Sequence, residues 1–287
     1  MPTETVYGLA ANAADPLAVA AVYAAKGRPS FNPLIAHVAD LAAATAIAAL
    51  DERALALAAA FWPGPLTIVA PIADEAAVCD LARAGLDTVA VRVPAHPLAH
   101  ALLAAFGGPV VAPSANVSGR PSPTTLEDAN AETGSFAAVR LDGGPCQIGL
   151  ESTVVSVLPG EPVRLLRPGG VTRGELDTIV GPLAEAEADA RRSPGRLTRH
   201  YAPNAPLRLD ANAAGIGEVF IGFGAGRDCD LNLSASGDLA EAAANLFSAL
   251  RAADHLRPAA IAIASIPLTG LGEAINDRLR RAAGFVG

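Results

Sequence analysis

The stretch TVAVRVPAHPLAHALLAAFGGPVVAP, residues 88–113, carries the pattern that decides the fold class. Short apolar runs at 88–93 and 109–113 are typical of buried β-strands. Residues 95–106 between them read as a helix, which a Gly-Gly pair follows. A strand, a helix and a second strand in this order predict an α/β fold.

The same alternation continues upstream of this stretch. An Asp-Pro pair at 15–16 predicts the start of a helix that ends near 26–27, because Asp caps helices and Pro fits their first turn. Asp40 and Asp51 predict the starts of two further helices, which end near 50 and 61. The strands predicted in this region lie at 32–38 and 66–72.

Downstream, the alternation forms two blocks that a change in composition separates. The elements predicted are strands at 137–141, 153–158 and 163–166 and a helix at 172–180, then strands at 218–223 and 259–264 and helices at 238–253 and 268–283. Residues 185–190 read as polar and helical, and RRSPGRLTRHYAPNAP at 191–206 reads as a basic, proline-broken linker. We therefore predict a first domain at 1–184, a linker at 185–206 and a smaller α/β domain at 207–287.

Composition excludes several classes of protein. Apolar residues make up 51% of the 287 residues, which is incompatible with intrinsic disorder. A net charge of −8 and an aromatic content of 4% argue against stable binding of nucleic acid. The three cysteines are too scattered for a disulfide framework or a zinc knuckle, so we expect a cytoplasmic protein without a metal site. Prolines break the longest uncharged run, so we expect no membrane span.

Lys26 and Arg28 form the first candidate binding motif. Lys26 is the only lysine of the chain, and both cations stand in a Gly/Pro loop without an acidic residue between Asp15 and Asp40. Arg offers bidentate hydrogen bonds and Lys a point charge, which together suit a polyphosphate. A basic surface turn is the alternative reading of the same residues.

Three further positions carry polar groups where an α/β sheet binds ligands. PSAN at 113–116 ends a hydrophobic strand, and Glu151-Ser152-Thr153 precedes another. Arg92 stands inside an apolar strand, where a charge needs a partner, either a ligand carboxylate or a buried Glu. An ordinary strand-to-turn connection is the alternative at 113–116.

Several familiar motifs are absent or incomplete. The sequence contains no P-loop, no HExxH and no GxSxG, and the glycines at 222–226 fail the GxGxxG spacing. His96 and His100 share a helix face but have no third ligand, which favours an ordinary structural pair over a metal site.

Taken together, the motifs resemble the YrdC-type L-threonylcarbamoyladenylate synthases. The matching segments, in order along the chain, are PTETVYGL at 2–9, KGRP at 26–29, NPL at 32–34, WPGPLT at 62–67, VRVP at 91–94, PSAN at 113–116, ESTV at 151–154 and RPG at 167–169. GRLTRHYAP at 195–203 and GLGEAINDRLRRAA at 270–283 resemble the longer, two-domain branch of the family. The resemblance implies a twisted, mixed, open sheet with helices, followed by a smaller Rossmann-like α/β domain.

The resemblance also implies an activity. L-threonine, bicarbonate and ATP would give threonylcarbamoyl-AMP and pyrophosphate, with Mg²⁺ on the ATP phosphates. A separate tRNA threonylcarbamoyl transferase would then move the product's threonylcarbamoyl group to an adenosine of tRNA. The reaction brings two anions together, so the site must supply positive charge and alignment.

The resemblance assigns site residues by position. Those expected to hold threonine are Thr5, His37, Arg92, Ala112 and Ser152. Those expected to hold ATP are Lys26, Arg28, Asn32, Thr88, Ser114, Ser122, Arg167 and Tyr201, of which Lys26 and Arg28 are the expected catalytic cations. Because Tyr201 falls in the linker, the basic segment is reinterpreted as a lid that closes over the nucleotide.

Other interpretations remain open at this stage. One is an RNA-binding module, which the charge and the aromatic content argue against. Another is a carbamoyl transferase of the hydrogenase-maturation type, but such chains also carry acylphosphatase-like and zinc modules that this sequence lacks. An inactive, N-terminally truncated synthase is the third interpretation. The family motif begins at Pro2, and the strand that is expected before this motif does not fit into Met1 alone. On that reading, about 20–30 natural residues would precede Met1, enough for such a strand and helix.

Overall fold

The computed structural model describes residues 1–73, 78–185, 200–226 and 228–285, and the mixed α/β fold is confirmed. Within the first two ranges, the helices are α1 Pro16–Lys26, α2 Leu41–Ile47, α3 Glu52–Phe61, α4 Asp80–Arg83, α5 Pro97–Phe106, α6 Leu126–Thr133 and α7 Arg173–Val180. The strands of the same part are β1 Ala11–Asn12, β2 Ile35–His37, β3 Leu66–Pro71, β4 Thr88–Arg92, β5 Val110–Val111, β6 Thr153–Ser156, β7 Arg164–Arg167 and β8 Ala184–Glu185.

These eight strands form one mixed sheet in the order β1-β5-β2-β4-β3-β6-β7-β8. β2 and β4 run parallel, with His37 opposite Arg92, so both strands end at the same edge of the sheet. β3 runs antiparallel to β4 and parallel to β6, which begins at Thr153. The sequence predicted ligand-binding groups at Arg92 in β4, at the approach to β6 and at 113–116 after β5, a strand that runs antiparallel to β2.

The helix starts follow from local capping. Asp15, Asp40 and Asp51 each accept hydrogen bonds from backbone N–H groups of the first turn, at α1, α2 and α3 respectively. α1 ends at Gly27, which takes the left-handed conformation (φ +58°) that stops a helix at low steric cost. This turn delivers Arg28 to the loop that precedes β2.

The second half of the described chain has its own sheet and core. Its elements are β9 Leu207–Arg208, β10 Glu218–Gly222, β11 Leu231–Asn232, α8 Leu239–His255, β12 Ala260–Ile263 and α9 Leu271–Ala282. The four strands are parallel, in the order β11-β10-β12-β9. Val6 and Leu150 of the first half are buried in this second core, so the two halves pack directly on each other.

Two predicted elements are wrong. Residues 137–141 form no strand, since the segment follows a short 3₁₀ turn and leaves Val139 75% exposed without a sheet partner. Glu185 belongs to strand β8 rather than to a helix, while the rest of the predicted polar helix lies outside the described residues. The domain limits at 184 and 207 stay a prediction.

No helix in the described ranges has the length and apolar character that a membrane span needs.

The close approach of Gly149 to helix α8 predicts a destabilising substitution. A Cβ on Gly149 would stand 2.5 Å from Ala244 Cα in α8, and Gly149 also has a positive φ of +71°. We expect Gly149→Ala to lower the free energy of unfolding by about 1–3 kcal/mol, because overpacking against backbone cannot relax easily. Gly160→Ala is the matched control, with a similar φ of +74° and nothing within 4 Å of the new Cβ. Equal stability of the two variants in urea denaturation would contradict the packing argument.

Candidate active site

One pocket lies along β2, from Pro33 and Leu34 before the strand to His37 and Arg92, where β2 and β4 end. It holds about 530 Å³ of space between atoms, the open mouth included. Its lining includes Thr5, Arg28, His37, Arg92, Ala112, Ser114, Glu151, Ser152, Arg167, His200 and Tyr201. The pocket therefore combines side chains from the sheet, from the loops before β2 and β6, and from residues 200–201.

Arg92 is the centre of one end of the pocket. Its guanidinium donates to Gly64 O (3.0 Å), to Thr5 Oγ1 (2.9 Å) and to Glu4 Oε1 (2.5 Å), and Arg92 is only 3% exposed. The second oxygen of Glu4 accepts from the backbone N–H of Ala95 (3.1 Å). The sequence left the partner of Arg92 open between a ligand carboxylate and a buried Glu. Glu4 is that buried Glu, and since an Arg side chain has five N–H groups, two remain for a ligand.

His37 lies beside Arg92 on the neighbouring strand. Burial, together with the positive charge of Arg92, lowers the pKa of His37 to about 3. The imidazole is therefore neutral near pH 7, and its Nδ1 lies 3.2 Å from Ile35 O. A neutral ring can serve as a donor or an acceptor toward a ligand without adding charge to this end of the pocket.

A second group of cations lies around the loop before β2 and around β7. Arg28 donates through Nε to Asn32 O (3.2 Å) and through Nη2 to Pro33 O (3.0 Å), which fixes the guanidinium against its own loop. Arg167 donates to Ser152 O (3.2 and 2.8 Å) and to Ser152 Oγ (3.2 Å). Burial lowers the pKa of Arg28 to about 10, which still leaves it charged at neutral pH. These two arginines give the pocket the positive charge that an anionic ligand needs.

Lys26 lies beneath the pocket wall rather than in its lining. Its Nζ donates to the carbonyl oxygens of Ser114 and of Asn116 (2.5 Å for the latter), and the side chain is 2% exposed. Burial and the neighbouring charge of Arg28 lower the pKa of Lys26 to about 7. Lys26 thus ties the end of α1 to the loop that carries Ser114.

The approach to β6 holds a linked set of hydroxyl and carboxyl groups. Ser152 Oγ is 2.7 Å from Thr67 Oγ1, and Ser122 Oγ donates to Glu151 Oε1 (2.5 Å). A Cβ on Gly169 would lie 2.3 Å from Glu151 O, so only glycine allows the chain after β7 to pass this close.

Tyr201 and His200 close one side of the pocket. Tyr201 is 1% exposed and has a left-handed backbone (φ +63°), a costly conformation for a bulky residue that the surrounding packing must hold. Its ring packs on Phe247 (5.6 Å between centroids) and on the imidazole of His200 (4.0 Å). Of the linker predicted as a lid at 185–206, residues 186–199 lie outside the described residues, and His200 and Tyr201 line the pocket.

The structure brings most of the predicted site residues together. Those in the pocket lining are Thr5, Arg28, His37, Arg92, Ala112, Ser114, Ser152, Arg167 and Tyr201. Lys26 and Ser122 lie one contact away, through Ser114 and Glu151. Asn32 is buried and contributes its carbonyl to Arg28, while its Oδ1 makes no hydrogen bond in the part of the chain that the structure describes. Thr88, the first residue of β4, is not among the residues that line this pocket.

Sequence reasoning missed the roles of four residues in or beside the site. Glu4 stands inside the quoted PTETVYGL motif, but only the fold brings it to Arg92. Glu151 is next to Ser152 in the sequence and His200 is next to Tyr201, but the motifs assigned a role to neither Glu151 nor His200. Arg278 reaches Glu151 from α9, and nothing in its local sequence indicates that contact.

Comparison with known proteins identifies the class. Residues 1–169 match the family model described as "Telomere recombination", which groups the Sua5, YciO and YrdC proteins, and residues 171–284 match the model "Threonylcarbamoyl-AMP synthase, C-terminal domain". The chain belongs to the threonylcarbamoyl-AMP synthase family, in its two-domain Sua5 form.

Individual relatives match over almost the whole chain. The threonylcarbamoyl-AMP synthase of Bacillus subtilis (strain 168) is 40% identical over 99% of this chain and 88% of its own length. That of Pyrococcus abyssi (strain GE5 / Orsay) is 39% identical over 99% and 89%. The crystal structure of P. abyssi Sua5 complexed with L-threonine superposes with a TM-score of 0.90 at 38% identity, covering 99% of this chain and 89% of that one. The chain is therefore an enzyme with small-molecule substrates, as its motifs predicted.

Proposed function

We propose that this chain is a nucleotidyltransferase that makes L-threonylcarbamoyl-AMP from L-threonine, bicarbonate and ATP and releases pyrophosphate. The observation that carries the proposal is the pairing, in one pocket, of a carboxylate-binding end at Arg92 with a phosphate-binding end at Arg28 and Arg167. The relatives named above have the same activity in their names.

Threonine fits the Arg92 end. The two N–H groups of Arg92 that remain after its contacts with Gly64, Thr5 and Glu4 can bind the threonine carboxylate. Thr5 Oγ1 and neutral His37 offer hydrogen bonds to the amine or the hydroxyl, and Ala112 offers a small apolar surface. The crystal structure of the P. abyssi relative is a complex with L-threonine, which supports threonine as a substrate of this chain.

ATP fits the opposite end. Arg28 and Arg167 would bind the phosphates, Ser114 and Ser122 would offer hydroxyl groups, and Lys26 would raise the positive potential from beneath. Tyr201 would cover the nucleotide from the linker side. Asn32 and Thr88 stay predicted ATP contacts that the geometry of this pocket does not support.

The reaction then needs alignment more than a covalent nucleophile. The amine of threonine and bicarbonate give a carbamate with loss of water, and a carbamate oxygen attacks the α-phosphorus of ATP while pyrophosphate leaves. Both partners are anions, so the arginines of the pocket lower the barrier by holding them in line and by neutralising charge that develops on the phosphate. Burial of the pocket protects the water-sensitive carbamate and mixed anhydride.

Mg²⁺ is proposed as part of the substrate MgATP. In the described ranges, no three His, Cys, Asp or Glu side chains gather into a metal-binding group. Mg²⁺ commonly keeps several waters and binds phosphate oxygens with few protein ligands, so phosphates and waters would hold it here.

The product calls for a second protein. A threonylcarbamoyl adenylate is an activated acyl group, and we propose that a tRNA threonylcarbamoyl transferase consumes it to modify an adenosine of tRNA. The charge of −8 favours transfer of the small molecule between proteins over tRNA binding by this chain.

An omission assay tests the proposed function. Purified protein is incubated with MgATP, L-threonine and bicarbonate, and then with each left out in turn, while pyrophosphate and the adenylate are measured by enzymatic assay and mass spectrometry. Product that requires all three substrates supports the proposal. Release of pyrophosphate without threonine, or no adenylate under any condition, would overturn it.

Removal of the linker and second domain should weaken nucleotide binding. A chain ending at residue 185 keeps the eight-stranded sheet but loses Tyr201 and His200 from the pocket. We expect its dissociation constant for ATP to rise about tenfold or more, since closing elements contribute to sequestering the ligand. Circular dichroism checks that the sheet remains folded, and calorimetry giving equal ATP affinities for both chains would refute the lid.

A further inference from the structure

An acidic side chain stands among the cations of the pocket. Glu151 lines the pocket and is 7% exposed, although a site that binds a polyphosphate gains nothing from a buried negative charge. The carboxylate accepts from Ser122 Oγ through Oε1 and from Arg278 Nε through Oε2 (2.8 Å). Glu151 therefore joins a pocket loop of the first half to a side chain of the second.

Arg278 is the partner that covers this charge. It comes from α9, has no exposed surface, and donates through Nη1 to Asp277 Oδ2 (2.6 Å). Its guanidinium carbon lies 5.1 Å from the centre of the Tyr201 ring, within the range of a cation–π contact. Arg278 thus contacts two residues that line the pocket: Glu151 of the first half and Tyr201 of the second.

The other nearby cations act on Glu151 through their charge alone, because their hydrogen bonds go to other groups. Arg167 gives its hydrogen bonds to Ser152, and the Lys26 ammonium gives its to the carbonyl groups of Ser114 and Asn116. Among the described residues, Arg278 is the cation that makes a direct ion pair with Glu151. Without Arg278, Glu151 would be a buried charge without a direct counterion, facing the place where phosphates are proposed to bind.

We propose that Arg278 is a positioning residue of the nucleotide pocket, which neutralises Glu151 and holds it against Ser122. The inference rests on the proposed function, because it assigns the phosphates of ATP to this end of the pocket. On this proposal, the second domain takes part in nucleotide binding. Its Arg278 neutralises Glu151, so the loop that contains this glutamate can bind an anion.

A charge-cancelling pair of variants tests the proposal in the full-length chain. Arg278→Met removes the counterion and keeps much of the side-chain volume, and we expect the dissociation constant for ATP, measured by calorimetry, to rise about tenfold or more. Glu151→Gln/Arg278→Met removes both charges, and we expect its ATP affinity to return to within about threefold of wild type. If Arg278 acts instead through its packing and its contacts with Asp277 and Tyr201, the double variant stays at least as weak as the single one.

The same helix offers a matched control. Glu273 in α9 makes an ion pair with Arg173 of α7 across the same interface (2.7 Å), outside the pocket lining. Glu273→Gln should leave ATP affinity within about threefold of wild type, because a half-exposed pair away from the ligand contributes little.

The outcomes are distinct from those that test the function itself. If Arg278→Met does not fold, Arg278→Lys and the double variant decide the matter, since one keeps the charge and the other leaves no uncompensated charge. Weak binding by the double variant, or wild-type binding by Arg278→Met, overturns the role of Arg278. Wild-type protein that binds ATP but makes no adenylate overturns the proposed function alone, and wild-type protein that binds no ATP overturns both.

Discussion

Lys26→Ala lowers the rate of threonylcarbamoyl-AMP synthesis about 100-fold or more, a loss of about 2.7 kcal/mol of transition-state stabilisation. The reason is twofold. The substitution removes a buried positive charge beneath the end of the pocket where we propose that the phosphates bind, and it leaves the carbonyl groups of Ser114 and Asn116 without their donor. The rate is measured as adenylate formed at saturating threonine, bicarbonate and MgATP.

The charge state of Lys26 gives this prediction a pH signature. Burial lowers the pKa of its ammonium to about 7 without ligand, so a large part of Lys26 is neutral at pH 8. An arriving polyphosphate favours the charged form and raises the pKa again, so ATP binding at pH 8 takes up a proton. At pH 6 Lys26 already carries its proton, and the uptake disappears. Calorimetry in buffers of different ionisation enthalpy measures this proton uptake, which Lys26→Ala should abolish.

Arg140→Ala is the control for Lys26. Arg140 is an exposed cation that donates to Gly134 O (2.6 Å) and lies outside the pocket lining, so its loss should leave the rate within about threefold of wild type. A Lys26→Ala rate within about threefold of wild type would remove Lys26 from the mechanism.

The parts of the fold that depend on neighbouring residues could be predicted from the sequence. Asp15, Asp40 and Asp51 mark three helix starts correctly because capping involves residues two and three positions away. The short helix α6 escaped detection, since five of the eight residues in its sequence LEDANAET are polar and its buried residues are the small Ala129 and Thr133. Residues 137–141 misled the prediction because an apolar run without a strand partner remains a loop.

The candidate site was predictable to the extent that its residues stand in recognisable motifs. Arg92 could be singled out because an apolar strand seldom contains a charge, yet its partner Glu4 lies 88 positions away. The contact between Glu151 and Arg278 spans 127 positions and two domains, and no local pattern encodes such a pairing. The burial of Lys26 beneath the pocket likewise depends on where the loop at 113–116 crosses α1, a property of the tertiary packing.

Arg92→Met lowers the free energy of unfolding by about 3–5 kcal/mol, independently of any substrate, because it leaves Glu4 as a buried carboxylate without its counterion. The pair is nearly inaccessible, with side chains 4% and 8% exposed, so water cannot compensate the charge. Arg92 also holds Thr5 Oγ1 and Gly64 O, and both contacts are lost. Urea denaturation followed by the fluorescence of Trp62, the single tryptophan, reports on the half of the chain that contains the pair.

A second substitution separates the cost of the stranded charge from the loss of packing. Glu4→Gln in the Arg92→Met background should recover a large part of the stability, since the amide needs no counterion, while threonine binding stays lost because the carboxylate partner is still missing. Arg53→Met is the matched control: its ion pair with Asp51 is 36% and 40% exposed, and its loss should cost about 1 kcal/mol. If Arg92→Met were no more costly than Arg53→Met, the buried pair would not be what fixes the threonine end of the pocket. Stability regained by Glu4→Gln together with threonine affinity would instead place the carboxylate of threonine on a group other than Arg92.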